Sequence, residues 1–202
     1  VYGDTNSTLA GALAAAKLNI PIAHVEAGLR SFNRQMPEEI NRVLTDHASN
    51  LLFVPTQTAI QNLKKEGIRG EVVHMVGDVM YDAALYYGPK AKETSTVLDD
   101  IGLTTDEYIL ATIHRAENTD QAERLVSIFE ALKEAAVKRD VVLPLHPRTR
   151  KSLQQVGRYE DFARAIHLIQ PVGYLDMIAL EKNAAVIVTD SGGVQKEAYF
   201  HK

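Results

Sequence analysis

Short apolar runs alternate with longer stretches of helical spacing along this chain, the signature of strands alternating with helices. Thr5 to Leu18 is rich in Ala and Leu, and Asn19-Ile20-Pro21 ends it before the apolar run Ile22 to Val25, so the order reads helix, then strand. Pro37-Glu38-Glu39 suits a helix N-terminus, because Pro is tolerated in the first turn and acids favour the positive end of the helix dipole; that helix is expected through about Ser49. Leu51 to Val54 reads as a strand, Thr56 as the cap of a helix ending near Gly67, and Val72 to Val76 as a further strand. This βαβα order implies parallel pairing with right-handed crossovers.

After Gly77, a helix-like Tyr81 to Tyr87 leads into Gly88-Pro89 and a polar run, Lys90 to Thr96. The pattern then restarts, with Ile109 to Ile113, Val141 to Leu145 and Val186 to Thr189 as strands and Ala122 to Lys138 as an amphipathic helix. Ser191-Gly192-Gly193 opens a last helix expected to reach Lys202. One sheet finishes and a fresh strand-helix series begins, which places a domain boundary near Asp78 and gives two domains, 1–78 and 79–202; a single doubly wound sheet is the alternative. Only Val1 and Tyr2 precede what reads as a strand exit, and the last helix carries no stop signal, so the chain is expected to be an internal piece of a longer protein.

The 202 residues are 46% hydrophobic and 24% charged, enough to build an ordinary globular core. No apolar run approaches the ~20 residues of a membrane helix and nothing resembles a cleavable leader, so a cytoplasmic protein is expected, with no membrane partner. The absence of cysteine removes disulfides, thiolate nucleophiles and Cys-based metal sites together. A net charge of -4 without a basic tract argues against nucleic acid as a partner, while local basic clusters can still hold a small anion.

The segment from His24 to Arg42 carries Glu26, Glu38, Glu39, Arg30, Arg34 and Arg42 where the chain leaves a strand, and the strand ends of an open α/β sheet are where ligands bind. Asp4, just past a presumed strand, reads either as a helix cap or as a second carboxylate on the same edge as Glu26. Glu38 and Arg42, four residues apart, share one helical face and form either a surface ion pair or the wall of an anion site. Arg30, Arg34 and Glu39 read as supporting or solvated. His114 beside Arg115 follows one strand of the second region, and His146 follows another. Ser191-Gly192-Gly193 opens a helix whose free N–H groups favour phosphate. A dinucleotide fingerprint, a P-loop, a zinc helix motif and a calcium loop are all missing, so no cofactor and no metal are expected.

Six linked motifs then resemble the non-hydrolysing UDP-N-acetylglucosamine 2-epimerases: Gly3-Asp4-Thr5, His24-Val25-Glu26-Ala27-Gly28-Leu29-Arg30, Pro37-Glu38-Glu39 with Asn41-Arg42, Gly77-Asp78 with Asp82, His114-Arg115 with Glu117-Asn118, and Asp190-Ser191-Gly192-Gly193 with Gln195 and Glu197. The resemblance implies an α/β fold with two Rossmann-like domains facing a cleft, the GT-B architecture, both incomplete in this chain. It implies a homodimer acting on UDP-N-acetylglucosamine and UDP. It implies catalytic roles for Asp4, Glu26, Glu38 and His114, and substrate contacts for Arg42, Ser191, Gly192, Gly193 and Glu197. Arg115 and His146 match positions that, in some members, hold a second UDP-N-acetylglucosamine as an allosteric activator. The implied reaction is reversible epimerisation at C2 by elimination and re-addition of UDP through 2-acetamidoglucal. A hydrolysing epimerase or a GT-B glycosyltransferase is the enzymatic alternative, and a non-catalytic UDP-sugar-binding module the other.

Overall fold

A computed structural model describes residues 1–201; Lys202, the expected end of the last helix, lies outside the described residues. The chain divides into two compact units, Val1–Asp82 and Ala83–Lys202. Each unit has its own parallel sheet, so the single doubly wound sheet is not what forms.

The first unit runs α1 (Asn6–Lys17), β1 (Ala23–Val25), α2 (Pro37–Ala48), β2 (Leu51–Val54), α3 (Gln57–Lys65) and β3 (Val73–Met75). The strands pair in parallel in the order β1-β2-β3, with His24 opposite Leu52 and Phe53 opposite His74. Val1–Gly3 lies alongside β1, with the Val25 N–H donating to the Val1 carbonyl and the Gly3 N–H to the Val25 carbonyl. Thr5 and Thr56 cap α1 and α3 by accepting from the Thr8 and Ala59 N–H groups. The apolar core is small: Ala27, Leu52, Val54, Ala59 and Leu63.

Helix α4 (Val79–Thr94) crosses the division and runs straight over Gly88-Pro89, so the polar run after Pro89 is helical. Pro in a helix interior sacrifices a backbone bond. Here packing offsets the loss: Gly88 and Ala91 are buried, Tyr87 meets Tyr174 edge-on at 5.5 Å, and Lys90 lies 3.9 Å over the Tyr86 ring.

The second unit continues α5 (Val97–Ile101), β4 (Tyr108–Thr112), α6 (Ala116–Thr119), α7 (Ala122–Ala136), β5 (Asp140–Pro144), α8 (Pro147–Gln155), α9 (Tyr159–Ala163), β6 (His167–Ile169), α10 (Tyr174–Asn183), β7 (Val186–Thr189) and α11 (Gly192–Phe200). Its parallel sheet has the order β6-β5-β4-β7. Both faces are covered, which is why β4 and β5 read as unbroken apolar runs. Ala111, Val141, Leu143 and Leu145 meet Phe129 and Phe162 on one face, while Tyr108, Leu110 and Val142 meet Val97 and Leu180 on the other. The Tyr108 hydroxyl is satisfied by donating to the Leu180 carbonyl at 2.6 Å. Among the described residues, no helix is long and apolar enough to cross a membrane.

Phe129 is fully buried with its ring 5.3 Å from that of Phe162. Phe129→Ala should therefore cost about 3–5 kcal/mol in urea unfolding, whereas Val137→Ala on the exposed end of the same helix should stay within about 0.5 kcal/mol.

Candidate functional site

In the first unit the functional candidates gather where Val1–Gly3 and β1 end. Gly3 has φ +63°, and a Cβ there would stand 3.5 Å from the Glu26 Oε2, so the Glu26 carboxylate lies over the Gly3 backbone beside Asp4. Glu26 itself has φ +70°, a left-handed conformation that costs a non-glycine residue roughly 1–2 kcal/mol. Two residues on, Gly28 has φ +77°, and a Cβ there would meet the Ala59 carbonyl oxygen at 2.6 Å, so no side chain fits.

Thr5, not Asp4, caps α1, which leaves the Asp4 carboxylate to accept from the Arg42 guanidinium. Asn41 donates to the Asp4 carbonyl at 2.9 Å and ties α2 to the same turn. Arg42 also meets Glu39 at 3.3 Å, so the ion pair expected with Glu38 forms with Glu39 instead, and Glu38 is exposed. The Arg42 Nε is buried with no hydrogen-bond partner.

Arg30 and Glu39, read from sequence as supporting or solvated, are supports buried in the turn. Burial pushes the Glu39 carboxyl up, but the bonds it accepts from the Ser31 and Phe32 N–H groups at 2.8 and 2.9 Å, with the Ser31 hydroxyl and the Arg42 charge, together hold it below the usual range. Arg30 is buried between Asp46 (2.7 Å) and Glu66, which it bonds through both Nε and Nη2 at 2.7 Å. Asp46 also accepts from the Gly28 N–H at 3.0 Å and faces the His24 Nδ1 at 2.7 Å, while the His24 Nε2 reaches the Gly3 carbonyl at 2.8 Å. His24 and Asp46 were missed as site-building residues. The one local cue is that Asp46 stands a helical turn past Arg42 on the buried side of α2.

In the second unit the candidates gather where β4 and β7 end. Asp190 accepts from the His114 N–H (3.1 Å), the Arg115 N–H (3.0 Å) and the Asn118 amide (2.9 Å), and its Oδ1 lies 3.3 Å from the His114 Nδ1. His114 is thus fixed at its backbone with its ring half-exposed. Ser191 caps α11 by accepting from the Val194 N–H, and Gly192 and Gly193 form the helix's first turn, with a Gly192 Cβ position 3.9 Å from the Arg115 guanidinium. His146 is the exposed cap of α8, its Nδ1 accepting from the Arg148 N–H at 3.2 Å. Among the described residues no cluster of His, Asp and Glu could hold a metal ion.

Glu197, further along α11, is bonded to Tyr174 and shares its surroundings with Glu181 of α10. Burial raises the Glu197 carboxyl. Glu181 is wholly buried with neither oxygen hydrogen-bonded, and burial first, then the Glu197 charge, push it up to about 8. The His201 ring lies 3.6 Å away, its basicity lowered by burial and by Lys182.

Two parallel α/β sheets with polar side chains and a glycine-led helix assembled at the strand ends define a Rossmann-like protein of the GT-B class. The chain belongs to the UDP-N-acetylglucosamine 2-epimerase family, whose model matches residues 1–202. It is 58% identical to a UDP-N-acetylglucosamine 2-epimerase homolog of Methanococcus maripaludis, covering 100% of this chain and 57% of that protein. It is 56% identical to a UDP-2,3-diacetamido-2,3-dideoxy-D-glucuronate 2-epimerase of Pseudomonas aeruginosa, covering 99% of this chain and 55% of that one. The crystal structure of Methanocaldococcus jannaschii UDP-GlcNAc 2-epimerase, in complex with UDP-GlcNAc and UDP, matches with a TM-score of 0.91 at 48% identity, covering 100% of this chain and 57% of that one. The chain therefore spans about half the length of the curated relatives it matches.

Glu181 carries a pH signature. The unfolded chain releases this proton above the ordinary 4.5, whereas the folded protein keeps it to about 8, so the folded state loses stability as pH climbs between those values. Glu181→Gln removes the penalty: melting followed from pH 5 to pH 8 should show the variant gaining on the parent by on the order of a few kcal/mol, with the two alike at the acid end.

Proposed function

We propose that the full-length protein interconverts UDP-N-acetylglucosamine and UDP-N-acetylmannosamine through 2-acetamidoglucal. The supporting observation is the pair of carboxylates at neighbouring strand exits, Asp4 after Val1–Gly3 and Glu26 after β1, with Glu26 lying over Gly3 in a chain of this family.

No carbonyl acidifies the C2–H bond of this sugar, so direct deprotonation is a poor route to inversion. Elimination avoids the difficulty. One carboxylate takes the C2 proton, the C–H electron pair becomes the C1–C2 double bond, and the C1–O bond breaks with its electrons leaving on UDP. A second carboxyl group protonates C2 from the opposite face as a UDP oxygen re-adds to C1. Asp4, Glu26 and Glu38 are the acid and base groups in this reading. His114 and the Ser191-Gly192-Gly193 helix start stabilise the departing pyrophosphate. Arg42 and Glu197 contact UDP.

The domains follow the same reading: the first unit is the C-terminal part of the catalytic Rossmann-like domain and the second the N-terminal part of the UDP-binding one. Arg115 and His146 take a second UDP-N-acetylglucosamine as activator, and the working species is a homodimer in the cytoplasm. The 56% identity to an enzyme named for a diacetamido-glucuronate favours a second reading, in which the substrate is that sugar and the C2 chemistry is unchanged.

Incubating the full-length protein with either UDP-sugar in heavy water should place deuterium at C2 of both epimers, read by proton NMR; epimerisation without deuterium would exclude the elimination route. Glu26→Gln should lower kcat by at least about a hundredfold while leaving the melting temperature close to the parent's.

A further inference from the structure

We propose that His24 is a positioning residue for proton transfer at C2, a clamp that sets the separation of Asp4 and Glu26. This rests on the epimerase reading above. Nothing in the sequence motif itself requires it, since a buried histidine on a short strand reads equally well as core.

Geometry carries the inference. His24 lies on β1 two residues before Glu26, and its Nε2 meets the carbonyl of Gly3, the residue immediately before Asp4, at 2.8 Å. One ring therefore spans the two strand exits that present the carboxylates. The ring is wholly buried and has no path to a substrate, so its influence must pass through the backbone it holds. Its Nδ1 faces the Asp46 Oδ1 at 2.7 Å. Asp46 is itself held by the Gly28 N–H and the Arg30 guanidinium, so the clamp is anchored to the turn on the far side of Glu26. The Gly3 carbonyl can only accept, so the ring carries a hydrogen on Nε2 to make this bond. A shift of about 1 Å between two proton-transferring groups is enough to cost about a hundredfold in rate, while binding of the nucleotide, for which this reading draws mostly on the second unit, changes little.

Two conservative substitutions separate the clamp from mere satisfaction of a buried carboxylate. In His24→Gln the side-chain amide can reach the Gly3 carbonyl but not Asp46; in His24→Asn it can reach Asp46 but not Gly3. In the full-length protein, His24→Asn should lower kcat for UDP-N-acetylglucosamine epimerisation tenfold to a hundredfold, with KM within about twofold of the parent, and should slow C2 deuterium uptake in parallel. His24→Gln should restore most of the turnover. If His24→Asn does not fold, His24→Gln decides alone: Gly3 is still held while Asp46 loses its ring partner, and turnover per folded molecule should stay within about tenfold of the parent. An active parent in which His24→Asn works as well as His24→Gln, or in which folded His24→Gln is slowed about a hundredfold or more, overturns the clamp alone. A parent that neither epimerises nor exchanges the C2 proton overturns the epimerase reading, and the clamp with it.

Discussion

The first unit depends on a set of charged and polar side chains placed where water does not reach. His24, Asp46 and Arg30 are buried together, and Glu66 closes the set from the α3 terminus. Such a group is costly to assemble, because each ion must be desolvated and is repaid only when its hydrogen bonds are nearly complete. Here they are: Asp46 has three partners, Arg30 donates to Asp46, Glu66 and the Leu29 carbonyl, and both nitrogens of His24 are engaged. The arrangement explains an inverted helix. On α2 the buried residues are Glu39, Asn41, Thr45 and Asp46, while Ile40 and Leu44 face outward. A helix that covers a polar turn must turn its polar stripe inward, and the apolar core beneath is correspondingly small.

The second unit solves a similar problem with one residue. Asp190 leaves β7 and gathers the backbone N–H groups of His114 and Arg115 where β4 ends, so a side chain from one strand exit fixes the main chain of its neighbour. In both units a buried or half-buried carboxylate satisfies N–H groups that the sheet leaves unpaired once its ladder stops. Polar residues immediately past an apolar run therefore have two tasks at once. Some close the backbone, as Asp190 does, and others are left pointing outward from a backbone so fixed, as His114 is.

That division marks how much could be read in advance. Strands β4 and β5 are legible because parallel strands covered on both sides leave unbroken apolar runs, β1, β2, β3 and β7 because each is a short apolar run bounded by polar or turn residues, and Thr5, Thr56 and Ser191 are legible as caps because capping is local. Helices α5, α6, α8 and α9 and strand β6 are short, and too few residues fall on any one face to produce a period. Helix α4 runs past Gly88-Pro89 because Tyr87 meets Tyr174 and Gly88 lies against Lys182, distant residues whose packing overrides the local signal to stop. The pairing of Arg42 with Asp4, and of Arg30 with Asp46 and Glu66, joins residues up to 38 positions apart, so no spacing rule could choose those partners, whereas Glu39 is an i, i+3 neighbour of Arg42 that local spacing allows as readily as Glu38.

The same network accounts for where the strain sits. Of the four non-glycine residues with positive φ among the described residues, Glu26 and Phe32 fall in the turn between β1 and α2. Phe32 is held directly, with Glu39 accepting from its N–H, and the turn after Glu26 is held two residues on, where Asp46 accepts from the Gly28 N–H. A left-handed residue costs roughly 1–2 kcal/mol, and a hydrogen bond to a charged acceptor contributes about 1.5–3 kcal/mol, so one such bond is enough to hold one such residue. A relaxed Glu26 on an extended continuation of β1 would point its side chain to one face of the sheet or the other. Held in the left-handed region, it turns back over Gly3, whose own φ of +63° suits glycine, and brings its carboxylate to the residue before Asp4. The buried charges, the strained glutamate and the bare glycine are thus one device, in which the cost of the first is what keeps the second in place over the third.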